Sequence, residues 1–193
     1  IWKERIVQVS IGTDVTSIQD DAFADCTSLK TIIIPNTVTS IGKNAFKGCT
    51  ALESITIPDS VTWIGNNVFE SCTALQSVTL SDNITWIGNN VFKGCSSLVS
   101  LTIPDGVMGI GDNAFNGCTS LQNLIIPDSV TSIGDNAFKD CTSFVTVVLS
   151  NNVTTIGDGA YKGCNRLMIL TIGNSITSIS DNAFNGCNLL ITL

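Results

Sequence analysis

The stretch from Leu52 to Ala74 reads LESITIPDSVTWIGNNVFESCTA, and the stretch from Leu121 to Ser143 reads LQNLIIPDSVTSIGDNAFKDCTS. The same period runs along the chain, because cysteine recurs at a constant interval, at positions 26, 49, 72, 95, 118, 141, 164 and 187. We therefore predict that residues 1–193 form a single unit of about eight 23-residue repeats, with partial repeats at both ends.

Each repeat begins with a pattern typical of a β-strand. Ile55 and Ile57 are apolar, whereas Ser54 and Thr56 beside them are small or β-branched and polar. This alternation indicates a strand with one buried face and one face in solvent. Pro58 follows directly and ends the strand, because proline has no N–H to donate to a neighbouring strand.

The second half of the repeat contains another apolar pair, Val61 and Ile64, which predicts a second short extended segment. Gly65 and then Asn66 follow, and Asp or Asn at that position is a favourable helix N-cap. We therefore predict one or two turns of helix or 3₁₀ helix after the second strand. No single repeat can bury its apolar side, so the repeats must stack as a solenoid.

Composition excludes several classes of protein. Hydrophobic residues make up 44% of the chain and charged residues 13%, which excludes a disordered chain. The net charge is −7 and the basic residues form no cluster, so we expect no nucleic-acid binding. No apolar run is long enough to cross a bilayer, so we expect no direct membrane insertion. The sequence has no histidine, the usual general base and metal ligand. We therefore expect no enzymatic activity, no cofactor and no metal site.

The pattern L-x-x-I-x-I-P-x-x-V-x-x-I-G-x-x-A-F-x-x-C-x-x resembles the BspA-type leucine-rich repeat over essentially all 193 residues. The resemblance implies a right-handed leucine-rich-repeat coil. A parallel β-sheet would form one face, and short strands with 3₁₀ or one-turn helices the other. It also implies a bacterial or protist protein, at the cell surface or secreted, that binds a protein such as a host matrix or surface protein. The chain starts and stops within a repeat, so we expect a segment of a longer protein.

The chain departs from this pattern at a few positions, where binding specificity could be encoded. These departures are Ser81, Ser150 and Gly173 in place of proline, Phe144 in place of leucine, Tyr161 in place of phenylalanine, and Met108 with Gly109 in place of Thr-Ser.

The cysteines allow three interpretations. Four disulfides are conceivable in a surface protein, but stacked residues would place their Cβ atoms about 5 Å apart, farther than the roughly 3.8 Å that a disulfide needs. Zinc binding is disfavoured because there is no C-x-x-C motif and no histidine. We therefore predict reduced, buried thiols that lie in single file.

Trp63 and Trp86 are the clearest candidates for a binding site. The equivalent positions of the other repeats carry Ser, Gly or Thr, so the position is expected at the surface. Two tryptophans on adjacent coils would then stack into an exposed aromatic patch that could anchor a partner. The alternative is that they cover a neighbouring threonine column or contact a missing part of the chain.

A second candidate surface lies on the solvent face of the first strand, where binding along a solenoid commonly occurs. Polar residues occupy this face in the N-terminal half, but toward the C-terminus it carries Ile125, Val148, Met168 and Ile169. These side chains could receive a protein or peptide. The alternative is that they reflect β-propensity alone.

Other features have structural explanations. The column Asp112, Asp135, Asp158 and Asp181 is interpreted as N-caps in preference to a cation-binding strip. Two glycosylation sequons begin at Asn83 and Asn152, and they are usable only in a secretory eukaryotic host. We expect an uncapped apolar edge at the C-terminus that favours end-to-end self-association; its residues are Leu189, Leu190, Ile191 and Leu193.

Together these patterns predict a non-enzymatic protein-binding module of a surface adhesion or recognition protein. The alternative is a structural spacer with no ligand of its own.

Overall fold

The computed structural model describes residues 3–191. Within this range the chain forms short β-strands joined by turns, with no helix and therefore none that could cross a bilayer. The strands are β1 (Gln8–Ser10), β2 (Ser17–Ile18), β3 (Thr31–Ile33), β4 (Ser40–Ile41), β5 (Ser54–Thr56), β6 (Trp63–Ile64), β7 (Ser77–Thr79), β8 (Trp86–Ile87), β9 (Ser100–Leu101), β10 (Gly109–Ile110), β11 (Ser132–Ile133), β12 (Thr146–Val148), β13 (Thr155–Ile156), β14 (Ile169–Thr171) and β15 (Ser178–Ile179).

Each coil contributes to two stacks of parallel strands. In the first-strand stack, Ser54 pairs with Ser77 and Ile55 with Val78, so the register equals the period of the sequence repeat. The second-strand stack has the same register, as between β4 and β6. Like residues therefore meet in columns, and the predicted parallel-strand solenoid is confirmed.

Neither stack is continuous. The first-strand stack consists of β1–β3, β5–β7–β9 and β12–β14. Isolated bridges from Ser100 to Asn123 and from Ile125 to Val148 connect the last two groups. The second-strand stack consists of β2–β4–β6 and β8–β10–β11–β13–β15, so it is interrupted between β6 and β8.

The predicted one-turn or 3₁₀ helix after the second strand does not form. At the second residue of the Asp/Asn-Asn pair φ is positive, for example 60° at Asn67 and 54° at Asn136, whereas a right-handed helix requires φ near −63°. The turn instead directs its N–H groups to the next coil. Phe69 N donates to the Val91 carbonyl at 2.9 Å, and Phe92 N donates to the Ala114 carbonyl at 2.8 Å.

The Asp/Asn column also differs from its predicted N-cap role. Asn89 N donates to Asn66 Oδ1 at 3.0 Å, and Asp135 N donates to Asp112 Oδ1 at 2.9 Å. The side chains of Asn66, Asn89, Asp112 and Asp135 thus each accept a hydrogen bond from the backbone N–H of the equivalent residue of the next coil, whereas Asp158 Oδ1 accepts from the Asn182 side-chain amide. The column joins coils and does not cap helices.

The core contains two regular ladders. Phenylalanine rings from Phe23 to Phe138 stack with centroids 5.2–5.6 Å apart. Beside them six thiols, from Cys49 to Cys164, each donate to a phenylalanine carbonyl of the preceding coil, as from Cys72 Sγ to Phe46 O at 3.1 Å. Cys187 Sγ donates to the Tyr161 carbonyl in the same way. All eight cysteines are free, so the predicted file of reduced thiols is confirmed.

The turn after the first strand explains two of the departures from the repeat. Where Ser81 replaces proline, its hydroxyl accepts a hydrogen bond from Asn83 N at 3.1 Å, and the Asn83 amide donates to the Asp59 carbonyl at 2.7 Å. Ser150 and Asn152 repeat this arrangement. In these two coils the side-chain hydrogen bonds of serine and asparagine thus stabilise the turn that proline forms elsewhere. Asn83 and Asn152 are also the first residues of the two sequons.

The C-terminal edge is exposed as far as it is described. Leu189 is exposed, Ile191 is 76% exposed and Leu190 is half-buried. Leu193, which was also predicted there, lies outside the described residues. Self-association through this edge stays a prediction.

Candidate functional site

Trp63 and Trp86 lie on β6 and β8, at equivalent positions of adjacent coils. Their side chains are 55% and 47% exposed, whereas nearly every other large apolar side chain of these two coils is buried. Two tryptophans on adjacent coils therefore lie side by side at the surface of the solenoid.

The strand ladder is open between these two residues. At the preceding step Thr62 N donates to Thr39 O at 3.0 Å, and at the following step Met108 N donates to Thr85 O at 2.9 Å. No corresponding bond from Thr85 N to Thr62 O is present within residues 3–191. The bond from the glycine N–H to the isoleucine carbonyl, which recurs at the other steps, is missing here too.

A groove of about 290 Å³ occupies the opening, and we call it the tryptophan groove. It is lined by Lys43, Thr62, Trp63, Ile64, Gly65, Asn66, Thr85, Trp86 and Gly88. Its physical cause is size, because parallel strands are about 4.8 Å apart and two indoles in one column need more room than two serines. The opening leaves backbone N–H and C=O groups of both strands without their usual partners, which favours a ligand that can form hydrogen bonds.

Trp86 extends over the following coil. A Cβ atom built on Gly109 would lie 2.6 Å from Trp86 Cη2, inside van der Waals contact. Gly109 is buried, whereas the residues at the equivalent position of the other coils are exposed or half-buried. The departure from the Thr-Ser pattern at Met108-Gly109 therefore makes room for the indole.

The two indoles do not stack on each other within the described chain, in contrast to the phenylalanines of the core. The predicted stacked patch is therefore wrong in its geometry, although both residues line one groove. Lys43 was missed by the sequence analysis. It replaces the Asp or Asn found elsewhere in its column, and that departure was a readable signal that this step of the solenoid is unusual.

The second predicted surface lies on the solvent face of the first-strand stack. Ile125 and Val148 are neighbours through an isolated bridge, and Ile125 is 82% exposed. Ile169 of β14 pairs with Thr146 of β12. Met168 directly precedes β14, and its N–H donates to the Val145 carbonyl. All four side chains are exposed, but only Ile125 and Val148 line a common groove, of about 270 Å³.

Ile33 was not predicted as a site residue. It is 57% exposed and lies in the same column as Ile125. It lines a groove of about 550 Å³ between β3 and β5, where the first-strand stack is interrupted. The isoleucine side chain in a column whose commonest residue is threonine was the signal that could have identified it.

The buried thiols of the core are held in an unreactive form. Burial raises the pKa of the Cys49 thiol to about 12, and it raises the pKa values of Cys72, Cys95 and Cys118 well above the ordinary value. Such thiols stay protonated at neutral pH and are poor nucleophiles and metal ligands. Within residues 3–191 no cluster of three or more His, Cys, Asp or Glu side chains could hold a metal ion.

Three solved bacterial proteins have the same fold. A leucine rich cell surface protein from Faecalibacterium prausnitzii is 31% identical, with a TM-score of 0.63; the match covers 96% of this chain and 58% of that one. A leucine-rich repeat protein from Eubacterium ventriosum is 27% identical, with a TM-score of 0.77, covering 90% and 45%. The leucine rich repeat protein of T. pallidum is 27% identical, with a TM-score of 0.71, covering 97% and 79%. The chain thus spans about half the length of the first two.

Among curated proteins none matches the chain. The family model of the BspA type leucine rich repeat region, which contains six copies of the repeat, matches residues 2–108 and 71–191. These two segments together include almost every residue of the sequence. The chain therefore belongs to the BspA-type leucine-rich repeat family.

Proposed function

We propose that this chain is a non-enzymatic protein-binding module of a cell-surface adhesion or recognition protein, and that the tryptophan groove is its main contact. The single observation that carries the proposal is the exposure of Trp63 and Trp86 on either side of an opening in the strand ladder. A solenoid that served only as a spacer would gain nothing from this costly irregularity.

The chemistry of the groove suits a protein partner. Tryptophan is among the residues most enriched at energetic hot spots of interfaces, because it buries a large area and donates a hydrogen bond. Lys43 is the charged residue of the lining, and it can pair with a carboxylate or a carbonyl of the partner. The unpaired main-chain groups of β6 and β8 add donors and acceptors that do not depend on the partner's sequence.

Family membership supports both the location and the absence of catalysis. The Faecalibacterium prausnitzii relative is described as a cell surface protein. Leucine-rich repeats of this type are scaffolds without a shared catalytic motif, and this sequence has no histidine. These observations support a cell-surface location and a non-enzymatic role as parts of the proposal.

The test is a binding assay by surface plasmon resonance against a panel of purified extracellular-matrix proteins. The variant Trp63→Ser/Trp86→Ser introduces serine, the commonest residue of this column. We expect the Kd for the bound matrix protein to rise at least about tenfold, in the range found for aromatic hot spots.

The matched control is Val99→Gln. Val99 is also exposed and apolar, and Gln76 and Gln122 occupy its column in the adjacent coils. We expect this variant to keep the wild-type Kd. Equal Kd values for the double tryptophan variant and the wild type would remove the groove from the binding site. Lack of binding to every protein of the panel would favour the spacer function.

A further inference from the structure

The solvent face of the first-strand stack is strongly acidic over four consecutive coils. The segments 53–59, 76–82, 99–105 and 122–128 contain one glutamate, four aspartates and no lysine or arginine. The aspartates Asp59, Asp82, Asp105 and Asp128 follow the first strand in successive coils and are all exposed. None of the four forms an ion pair within residues 3–191. Their charges are therefore unneutralised by this chain.

Two grooves, each with an exposed isoleucine in its lining, lie at the ends of this acidic strip. At one end Ile33 and Asp59 line the groove between β3 and β5. At the other end Ile125, Val148 and Asp128 line the groove beside β12. The first groove lies where the strand ladder is interrupted, and the second lies where the single bridge from Ile125 to Val148 joins two groups of strands. Each groove combines an exposed β-branched apolar side chain with a turn carboxylate.

The spacing of the two grooves matches a short extended peptide. Ile33 and Ile125 lie in one column and are separated by four coils, since the register advances by one repeat at each step. At about 4.8 Å per coil, the distance between them is roughly 19 Å. An extended chain advances about 3.3 Å per residue and covers this distance in about six residues.

We propose that this face binds an extended basic polypeptide segment with an apolar residue at each end of the basic stretch. The apolar residues occupy the Ile33 and Ile125–Val148 grooves, and the basic side chains pair with the aspartate strip between them. This site shares no residue with the tryptophan groove, so the inference goes beyond the proposed function and fails or holds independently of it.

The test uses a fluorescein-labelled peptide, Ile-Thr-Lys-Thr-Lys-Thr-Ile, amidated at its C-terminus, whose isoleucines and lysines lie on one face of an extended chain. Binding is measured by fluorescence anisotropy at about 50 mM NaCl, where exposed charges are only weakly screened. The variant Asp82→Asn/Asp105→Asn removes two charges from the strip. Neither of these carboxylates accepts a side-chain hydrogen bond from any residue of the described chain, so the fold should be kept. We expect the Kd to rise about tenfold for this variant and to rise with salt for the wild type.

The matched control is Asp112→Asn/Asp135→Asn, which changes the net charge equally on the second-strand side. Asn66 and Asn89 occupy the same column and make the same inter-coil hydrogen bonds. This control should change the Kd less than twofold. The variant Ile33→Thr/Ile125→Thr adopts the column's usual threonine and should raise the Kd about fivefold.

The proposal is overturned if the peptide does not bind, if both double aspartate variants lose affinity equally, or if a peptide with glutamate in place of lysine binds as tightly. Equal loss in both aspartate variants would indicate nonspecific attraction to an acidic protein. The variant Trp63→Ser/Trp86→Ser should bind this peptide like the wild type, which separates this test from that of the proposed function.

Discussion

The Trp86 indole fills the space that a side chain on Gly109 would occupy, one coil further along the solenoid. The two residues are neighbours in the register of β8 and β10, and the equivalent pair elsewhere is Ser132 with Thr155. The tryptophan of one coil therefore requires the glycine of the next coil, because the indole occupies the space of the missing side chain.

Gly109→Ser should lower the free energy of unfolding by about 1–3 kcal/mol, because the added side chain overlaps the indole in a packed site. In the background Trp86→Ser the same change should cost less than half as much, since the indole is then absent and only the rotatable Ser132 hydroxyl lies close to the new Cβ atom. Urea denaturation followed by circular dichroism of the four proteins of this double-mutant cycle measures the coupling. Equal costs in both backgrounds would show that the contact is unimportant.

Tyr161 has a buried hydroxyl without a hydrogen-bond partner in the described chain. Its ring continues the aromatic ladder and stacks on Phe138 with centroids 5.1 Å apart. Tyr161→Phe should therefore increase the free energy of unfolding by about 1–3 kcal/mol, the usual cost of an unsatisfied buried polar group.

Phe138→Tyr is the reciprocal control. It should destabilise the protein by a similar amount, because it buries a second hydroxyl in the same ladder. Both variants are compared with the wild type by urea denaturation. A loss of stability in Tyr161→Phe would mean that the hydroxyl has a partner that compensates its burial.

The regular part of the fold could be predicted because each coil packs against copies of itself. Cysteines at the same position of every repeat can form a ladder only if the strand register equals the repeat length. The hydrogen bond from the Cys72 thiol to the Phe46 carbonyl is one example of the contacts in this ladder. The exposed or buried state of Ile55, Thr56, Trp63 and Trp86 follows from the same columns.

The irregular part could not be predicted because it depends on contacts between coils. The N-cap rule considers only local hydrogen bonds, whereas Asn66 accepts from Asn89 in the next coil and Asn67 has a positive φ. The strand ladder opens between Trp63 and Trp86 because two indoles on adjacent coils need more room than the strand spacing gives. This packing between coils cannot be inferred from the residue types at one position of the repeat.

Asp135 illustrates the structural role of its column, because its Oδ1 accepts a hydrogen bond from Asp158 N at 2.8 Å. Asp135→Asn keeps the acceptor, as Asn66 and Asn89 do, and should leave the free energy of unfolding within about 0.5 kcal/mol of the wild type. Asp135→Ala removes the acceptor and should cost about 1–2 kcal/mol. Thermal unfolding of both variants checks the difference, and equal stability of the two would contradict the inter-coil role.

The thiol ladder predicts a loss of stability at alkaline pH. Burial raises the pKa of Cys49 to about 12 and raises those of Cys95 and Cys118 well above the ordinary value, whereas a thiol in the unfolded chain has a pKa of about 8.5. Above that unfolded value the unfolded state releases protons that the folded state retains. The stabilisation is therefore complete at neutral pH and declines as the pH rises from about 8.5 toward the folded pKa values.

Urea denaturation in the presence of a reductant, between pH 7 and pH 10.5, should show a free energy of unfolding that falls steadily above about pH 8.5. Each deeply buried thiol contributes a slope approaching about 1.4 kcal/mol per pH unit. Cys118→Ala removes one such thiol. The free energy of unfolding of this variant should therefore fall with pH less steeply than that of the wild type, by about 1.4 kcal/mol per pH unit, whatever the variant's stability at pH 7. Parallel curves for the variant and the wild type would mean that the Cys118 thiol titrates alike in the folded and unfolded states, which is incompatible with its burial beside the Phe92 carbonyl.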